Sequence, residues 1–181
     1  MSVDWAVLRW IHGVFSCGFL DFLMPKLSLL GNGGAIWILA ALALLCVRKY
    51  RRYGVLLLAG LALGVLAGNL VLKNWIARPR PCWLDSGVPL LIANPTGYSF
   101  PSGHALSSAI GAVMLTMTDR RFGRIAVPLA ALIAFSRLYL YVHFPSDVLG
   151  GIVLGVLIGC AVFLAGNRAA DRLRARRARE A

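Results

Sequence analysis

Apolar residues run through this chain in long blocks separated by short polar breaks. Residues 27–47, 54–72, 102–118, 125–142 and 146–166 are close to continuously apolar, and each approaches the roughly 20 residues an α-helix needs to cross a bilayer. Residues 3–24 read differently: Asp4, Arg9, His12 and Asp21 interrupt the apolar positions, and Pro25 follows. That pattern fits an amphipathic helix lying in the membrane interface or a poor first span. The prediction is an all-α, polytopic membrane helix bundle with five clear spans plus an N-terminal interfacial helix or sixth span. It divides into an N-terminal segment 1–26, a core 27–166 and a basic tail 167–181.

Two of the blocks carry glycine every fourth residue: Gly60, Gly64, Gly68 and Gly151, Gly155, Gly159. Such ridges let membrane helices approach closely. Close contact inside one bundle is favoured here over homodimerisation, and the oligomeric state stays open. Gly31-Asn32-Gly33-Gly34 lacks the spacing and the following Lys-Ser/Thr pair of a phosphate-cradling loop. It predicts a turn or a kink near the outer end of a span.

Composition agrees with a bilayer protein: 59% of the 181 residues are hydrophobic and 14% charged, where a soluble domain has about half and about a quarter. The formal net charge of +12 raises nucleic-acid binding as a function, but placement excludes it. The basic residues fall mostly in Arg48–Arg52, Arg120–Arg124 and Arg168–Arg179, behind the first, third and fifth apolar blocks. Basic clusters flanking spans mark the cytoplasmic side. All three can share that side, which leaves 73–101 and 142–146 on the extracytoplasmic face. The Arg-rich tail is expected to rest on anionic lipid. The four cysteines, Cys17, Cys46, Cys82 and Cys160, lack metal-ligand spacing, although a Cys17–Cys82 bridge is conceivable. No secretory signal is evident at the N-terminus.

Polar residues near membrane spans need a reason, and several gather at the predicted outer ends. Arg137 lies inside an apolar block, where a charge near the helix centre costs about 2.5–3.5 kcal/mol. A snorkelling arginine is the plain alternative. Pro101-Ser102-Gly103-His104 opens the next block. Proline suits a first helical turn, whose free N–H groups bind anions; Gly103 admits a ligand to the backbone and Ser102 can donate. Lys73 and Arg80 combine a point charge with a planar fork, a natural pairing around phosphate, with Arg78 a further headgroup contact. They stand on the outer side, where the topology rule does not explain them. His143 and Asp147 bracket Phe144-Pro145-Ser146, a turn that can bring a carboxylate to one imidazole nitrogen and leave the other free to attack.

Lys73-x6-Arg80-Pro81, Pro101-Ser102-Gly103-His104 and Ser136-Arg137-x5-His143-x3-Asp147 together resemble the three-part signature of the type 2 phosphatidic acid phosphatase superfamily, with every block complete. The resemblance implies His143 as nucleophile oriented by Asp147, and His104 as general acid and then base. It implies Lys73, Arg80, Ser102, Gly103 and Arg137 as phosphate-binding residues. It implies no cofactor, and the sequence offers no carboxylate or histidine cluster for a metal. The expected substrate is a lipid phosphate or diphosphate, with undecaprenyl diphosphate first and phosphatidylglycerophosphate or phosphatidate as alternatives. A non-catalytic lipid-phosphate binder or flippase-like protein is the reading from another class. Vanadium haloperoxidases share the fold by resemblance but are soluble. His12 is expected at the interface, and Trp75, Trp83, Tyr98 and Phe100 in an aromatic belt.

Overall fold

A computed structural model describes residues 3–180; residues 1, 2 and 181, the extreme ends of the segments 1–26 and 167–181, lie outside the described residues. Every regular element among those residues is helical. The N-terminal segment forms two short helices, α1 (Val3–Phe15) and α2 (Gly18–Leu30), broken at Cys17, whose backbone is extended. Pro25, just beyond the polar-interrupted stretch 3–24, lies within α2. Thirteen residues reach about 20 Å, so neither helix alone crosses a hydrocarbon core of about 30 Å.

The first predicted span, 27–47, is divided. Its start belongs to α2, and a 3-10 turn over Asn32–Gly34 separates it from α3 (Ala35–Cys46) with a bend of 46°. Gly33 and Gly34 take φ of 58° and 74°, conformations open to glycine and strained for other residues, which is why the chain breaks there. The expected kink is thus present, close to the start of the block.

α4 (Arg51–Gly64) runs into a π-helical stretch, Val65–Leu72, and a last helical turn, α5 (Lys73–Ile76). Ala77, at φ 47°, ends it. After a one-turn helix α6 (Pro81–Leu84) and a loop come α7 (Gly103–Thr118), α8 (Arg120–Tyr139) and α9 (Pro145–Glu180). Three helical runs, 51–84, 120–139 and 145–178, are long and apolar enough to cross a membrane, or four if the bent α2–α3 pair is one span. α7 is the most enclosed helix, its 16 residues packed between α8, α9 and α4. The apolar blocks that form α3 and α7 give helices of 12 and 16 residues, shorter than these three runs.

Both glycine ridges close on α7. A Cβ on Gly60 would meet Met114 Sδ at 2.9 Å, and on Gly64 Ile110 Cδ1 at 2.6 Å. From the other side, a Cβ on Gly151 would meet Ser102 O at 2.6 Å and on Gly155 Leu106 O at 2.5 Å. These ridges serve contacts within one chain.

The two ends of the bundle differ. At one, Tyr50 Oη donates to Asp119 across 3.2 Å, joining the basic turns 48–52 and 120–124, and Tyr53 stacks on Phe163 of α9. All three basic clusters therefore begin at that end. The boundary set at 166/167 is one of composition only, since α9 runs through it unbroken. The four cysteines are free; Cys82 Sγ turns to Asn94 Oδ1, so the conceivable Cys17–Cys82 bridge is not formed.

Candidate active site

The opposite end holds a cavity of about 650 Å³ lined by Lys73, Arg80, Gly103, His104, Arg137 and His143 among others. Each arrives by a local device. The π stretch, with its wider turn, shifts the phase of the helix so that Asn69 and Lys73 both face the cavity, a common use of π segments. Ala77 then turns the chain out of the helix and delivers Arg80. Its Nε donates to Gly97 O (2.6 Å), Nη1 to Val142 O (2.8 Å) and Nη2 to Tyr98 O (3.2 Å). The guanidinium thus ties the 78–101 loop to the 140–144 turn and sits 3.1 Å from His143 Nε2.

α7 begins one step later than expected. Ser102 is the cap residue and Gly103 the first helical one, so Pro101 precedes the first turn. Ser102 is fully buried, its N–H donates to Asp147 O (3.0 Å), and its Oγ has no partner. Arg137 is 4% exposed; Nη1 donates to Ser28 Oγ and Nε is unpartnered. Orphaned buried donors are rare in folded proteins; Arg137 lines the cavity, and Ser102 immediately precedes Gly103, which also lines it.

His143 follows the tight turn 140–144, where Tyr141 at φ 59° reverses the chain between α8 and α9. Its burial holds the imidazole pKa down to about 3, with Arg80 and Arg137 adding to the effect and Asp147 opposing it, so the ring is neutral and its Nε2 lone pair faces Arg80 Nη1. Asp147 is completely buried. Its Oδ2 stands 3.7 Å from His143 Nδ1, longer than a hydrogen bond. Ser99 lies between them: its Oγ donates to Asp147 Oδ2 and sits 3.4 Å from His143 Nδ1. Phe144 N donates to the same carboxylate oxygen at 2.8 Å.

His104 Nε2 faces two acceptors, Ser28 O at 3.1 Å and Asn32 Oδ1 at 2.9 Å. A carbonyl cannot donate, so that nitrogen carries the proton. Asn32 belongs to the glycine-rich turn, which thereby holds one cavity imidazole. Arg78, expected as a headgroup contact, instead lies behind His143, donating to Asp147 Oδ1 (2.6 Å) and Asp4 Oδ2 (2.7 Å). The sequence reading missed Ser28, Asn32, Asn69 and Ser99. For Asn32 and Asn69 the available signal was a polar side chain inside an apolar block; Ser99 carried none. His12 bonds to Ser16 Oγ (2.7 Å) and packs edge-on against Tyr141, away from the cavity. Trp75, Trp83 and Tyr98 are exposed, whereas the Phe100 ring lies against Gly150.

This enclosed helical bundle, with its cations and imidazoles at one end, belongs to the PAP2 superfamily: residues 52–171 match that family. The chain is similar to the undecaprenyl-diphosphatase of Sulfolobus acidocaldarius, with 36% identity over 137 residues covering 75% of this chain and 66% of that one. It is also similar to phosphatidylglycerophosphatase B of Bacillus subtilis, with 32% identity over 159 residues covering 81% and 68%. It thus spans about two thirds of the length of these relatives. Among solved structures, a transmembrane PAP2 type phosphatidylglycerolphosphate phosphatase from Bacillus subtilis superposes with TM-score 0.74 at 28% identity, covering 91% of this chain and 85% of that one. LpxE of Aquifex aeolicus gives 0.73 at 26%, covering 90% and 95%. The chain is a multi-pass membrane protein of that fold.

Proposed function

We propose that this chain hydrolyses a lipid phosphate or diphosphate through a phosphohistidine, without a metal. The observation that carries the reading is the cavity itself: Lys73, Arg80 and Arg137 line it with two histidines, and among the described residues no carboxylate forms an ion pair with any of the three cations. A cluster of uncompensated positive charge with orphaned donors matches a phosphoryl group, whose transfer depends mainly on positioning and charge stabilisation.

In the reaction, the His143 Nε2 lone pair attacks phosphorus and the bond to the lipid-side oxygen breaks; His104 acts as an imidazolium, its Nδ1 proton passing to that oxygen while its Nε2–H stays on Ser28 O. His104 then takes a proton from water, the water oxygen attacks phosphorus, and the P–N bond breaks to release inorganic phosphate. Asp147 steadies the ring during attack. Lys73, Arg80, Arg137, Ser102 Oγ and the Gly103 N–H hold the equatorial oxygens. Undecaprenyl diphosphate is the leading substrate, supported by the name of one relative; the name of another supports phosphatidylglycerophosphate as the second.

We further infer that the cavity end faces the extracytoplasmic side and the basic end, with the tail, the cytoplasm, as the distribution of Lys and Arg favours. α3, α4 with its π extension, α7, α8 and α9 then make five crossings, while α1 and α2 lie in the outer interface. Segment 1–26, core 27–166 and tail 167–181 remain the proposed division by role.

The test is phosphate release from undecaprenyl diphosphate, phosphatidylglycerophosphate and phosphatidate in detergent with excess EDTA, paired with trapping of an alkali-stable phosphoenzyme. Turnover and trapped label that both vanish in His143→Ala are expected. Activity lost on chelation, or kept by His143→Ala, would overturn the mechanism; a protein that binds phosphate but turns over no substrate would be a binder.

A further inference from the structure

Behind His143, on the side away from the cavity, one arginine is shared by two carboxylates. Arg78 Nη1 donates to Asp147 Oδ1 at 2.6 Å and to Ser146 Oγ at 2.7 Å. Its Nη2 donates to Asp4 Oδ2 at 2.7 Å. Asp4 also accepts from Ser146 N at 3.0 Å and Ser146 Oγ at 2.6 Å. The guanidinium lies 4.2 Å over the Phe144 ring, and Trp5 packs edge-on against the same ring at 4.9 Å. The first turn of α1 is therefore joined to the first turn of α9 next to the catalytic carboxylate, across more than 140 residues of sequence.

We propose that Asp4 is a positioning residue for the nucleophile, acting through Arg78 and Ser146 to hold Asp147 in place and to keep its negative charge available to His143. The proposal rests on the reading of His143 as nucleophile.

Charge counting separates this role from simple attachment of α1. Apolar contacts already fasten that helix, since Leu8 is fully buried in one cluster with Tyr141 and Phe144. Arg78 and Asp147 alone make a neutral pair, which has little to offer the positive charge that grows on the imidazole as its nitrogen bonds to phosphorus. With Asp4 the trio carries one net negative charge. Asp4 is suited to supply it: although burial works against ionisation, hydrogen bonds from Ser146 and Arg78 hold its carboxyl below the ordinary carboxylate range. Geometry and charge thus both run from α1 to the back of the imidazole, and neither passes through the substrate cavity.

The full chain in detergent micelles tests this, with Asp4→Asn, Asp4→Glu and the pair Asp4→Asn/Arg78→Gln. Removing a partner that orients a functional histidine from behind lowers activity on the order of tenfold. Asp4→Asn is therefore expected to lower kcat by about tenfold and to leave KM within about twofold, since nothing that touches substrate has changed. Asp4→Glu restores most of the rate. The double variant, whose remaining charge is again minus one, recovers activity relative to Asp4→Asn alone.

A readout independent of turnover comes from the chain having only three histidines. In a protein labelled with nitrogen-15 histidine, the Nδ1–H signal of His143 is expected to shift and broaden in Asp4→Asn while the Nε2–H signal of His104 stays in place. The proposal is overturned if Asp4→Asn changes neither kcat nor the His143 signal, if kcat and KM worsen together, or if the double variant is no better than the single one. If the wild type releases phosphate from no lipid and the His143 signal still responds, the phosphatase reading fails and the linkage stands. If neither responds, both fail.

Discussion

Arg78 and Arg80 are two residues apart on one loop and serve opposite faces of the same histidine. Arg78, behind His143, is matched by two carboxylates within 2.7 Å. Arg80, in front, donates to three backbone carbonyls and faces His143 Nε2, with no carboxylate in its reach among the described residues. Carbonyls fix the fork without cancelling its charge. The front, with Lys73 and Arg137 beside Arg80, therefore holds an excess of positive charge, whereas the arginine at the back is matched by carboxylates. The contrast teaches that in one loop the same residue type is a scaffold where its charge is balanced and a ligand group where it is not.

The sharpest way to break that contrast is Arg80→Ala. It removes the cation nearest the attacking nitrogen and frees three carbonyls that bind two loops together. Loss of one preorganised charged donor is worth about 3–4 kcal/mol in the transition state, so kcat/KM should fall by about a thousandfold or more in the phosphate-release assay. Arg80→Lys should rescue little, because a single ammonium cannot reach three carbonyls in the planes of a fork. A fall no larger than that of Asp4→Asn would erase the distinction between front and back.

Arg137→Met is expected to be next in size and opposite in sign for stability. The arginine is 4% exposed and, among the described residues, its side chain has one hydrogen-bond partner, Ser28, and no counter-ion. Burying such a charge opposes folding, and an apolar side chain of similar size relieves it. Turnover should drop by about a hundredfold, and Tm in detergent should rise by about 2–5 °C. Parallel loss of activity and stability would mean that Arg137 is structural, and the front would then resemble the back.

Asn32→Ala should have a smaller effect, lowering kcat by about threefold to tenfold, as loss of one neutral orienting hydrogen bond of about 1 kcal/mol allows. His104 keeps Ser28 O as acceptor, so its ring loses one of two holds. A drop as large as that of Arg80→Ala would show that Asn32 itself binds phosphate.

How much of this was readable in the chain depends on whether a residue's role is local. Lys73, Arg80, His104, Arg137, His143 and Asp147 are polar residues in or beside apolar blocks, so their cost alone marks them. The helices follow from apolar length. The breaks do not: Ala77 and Tyr141 turn the chain in the left-handed region without being glycine, and no turn chemistry announces them. The division at Gly31–Gly34 was visible as a kink, but not that the residues before it belong to a separate helix, α2, packed beside α8. Asp4 and Ser99 are ordinary polar residues near loops, and only the tertiary fold brings them to Asp147. The back of the site was therefore harder to foresee than the front.

The front and back also differ in how they respond to acid. Unfolded, His143 takes up a proton near 6.5, the ordinary value; folded, its burial, aided by the cations in front, delays that until about 3. Because the folded pKa is the lower one, the unfolded chain binds more protons between these values. The contribution of this group to stability is present above pH 6.5 and is lost progressively as pH falls toward 3. His143→Gln, which does not titrate, should flatten the acid limb of a plot of stability against pH across that window and leave the limb above pH 7 unchanged. Chemical denaturation in detergent at half-unit steps from pH 7.5 to 4 would measure it. An equal acid slope in both proteins would mean that His143 is already charged in the fold, balanced by the carboxylate pair behind it, and the charge-matched back would then extend to the nucleophile itself.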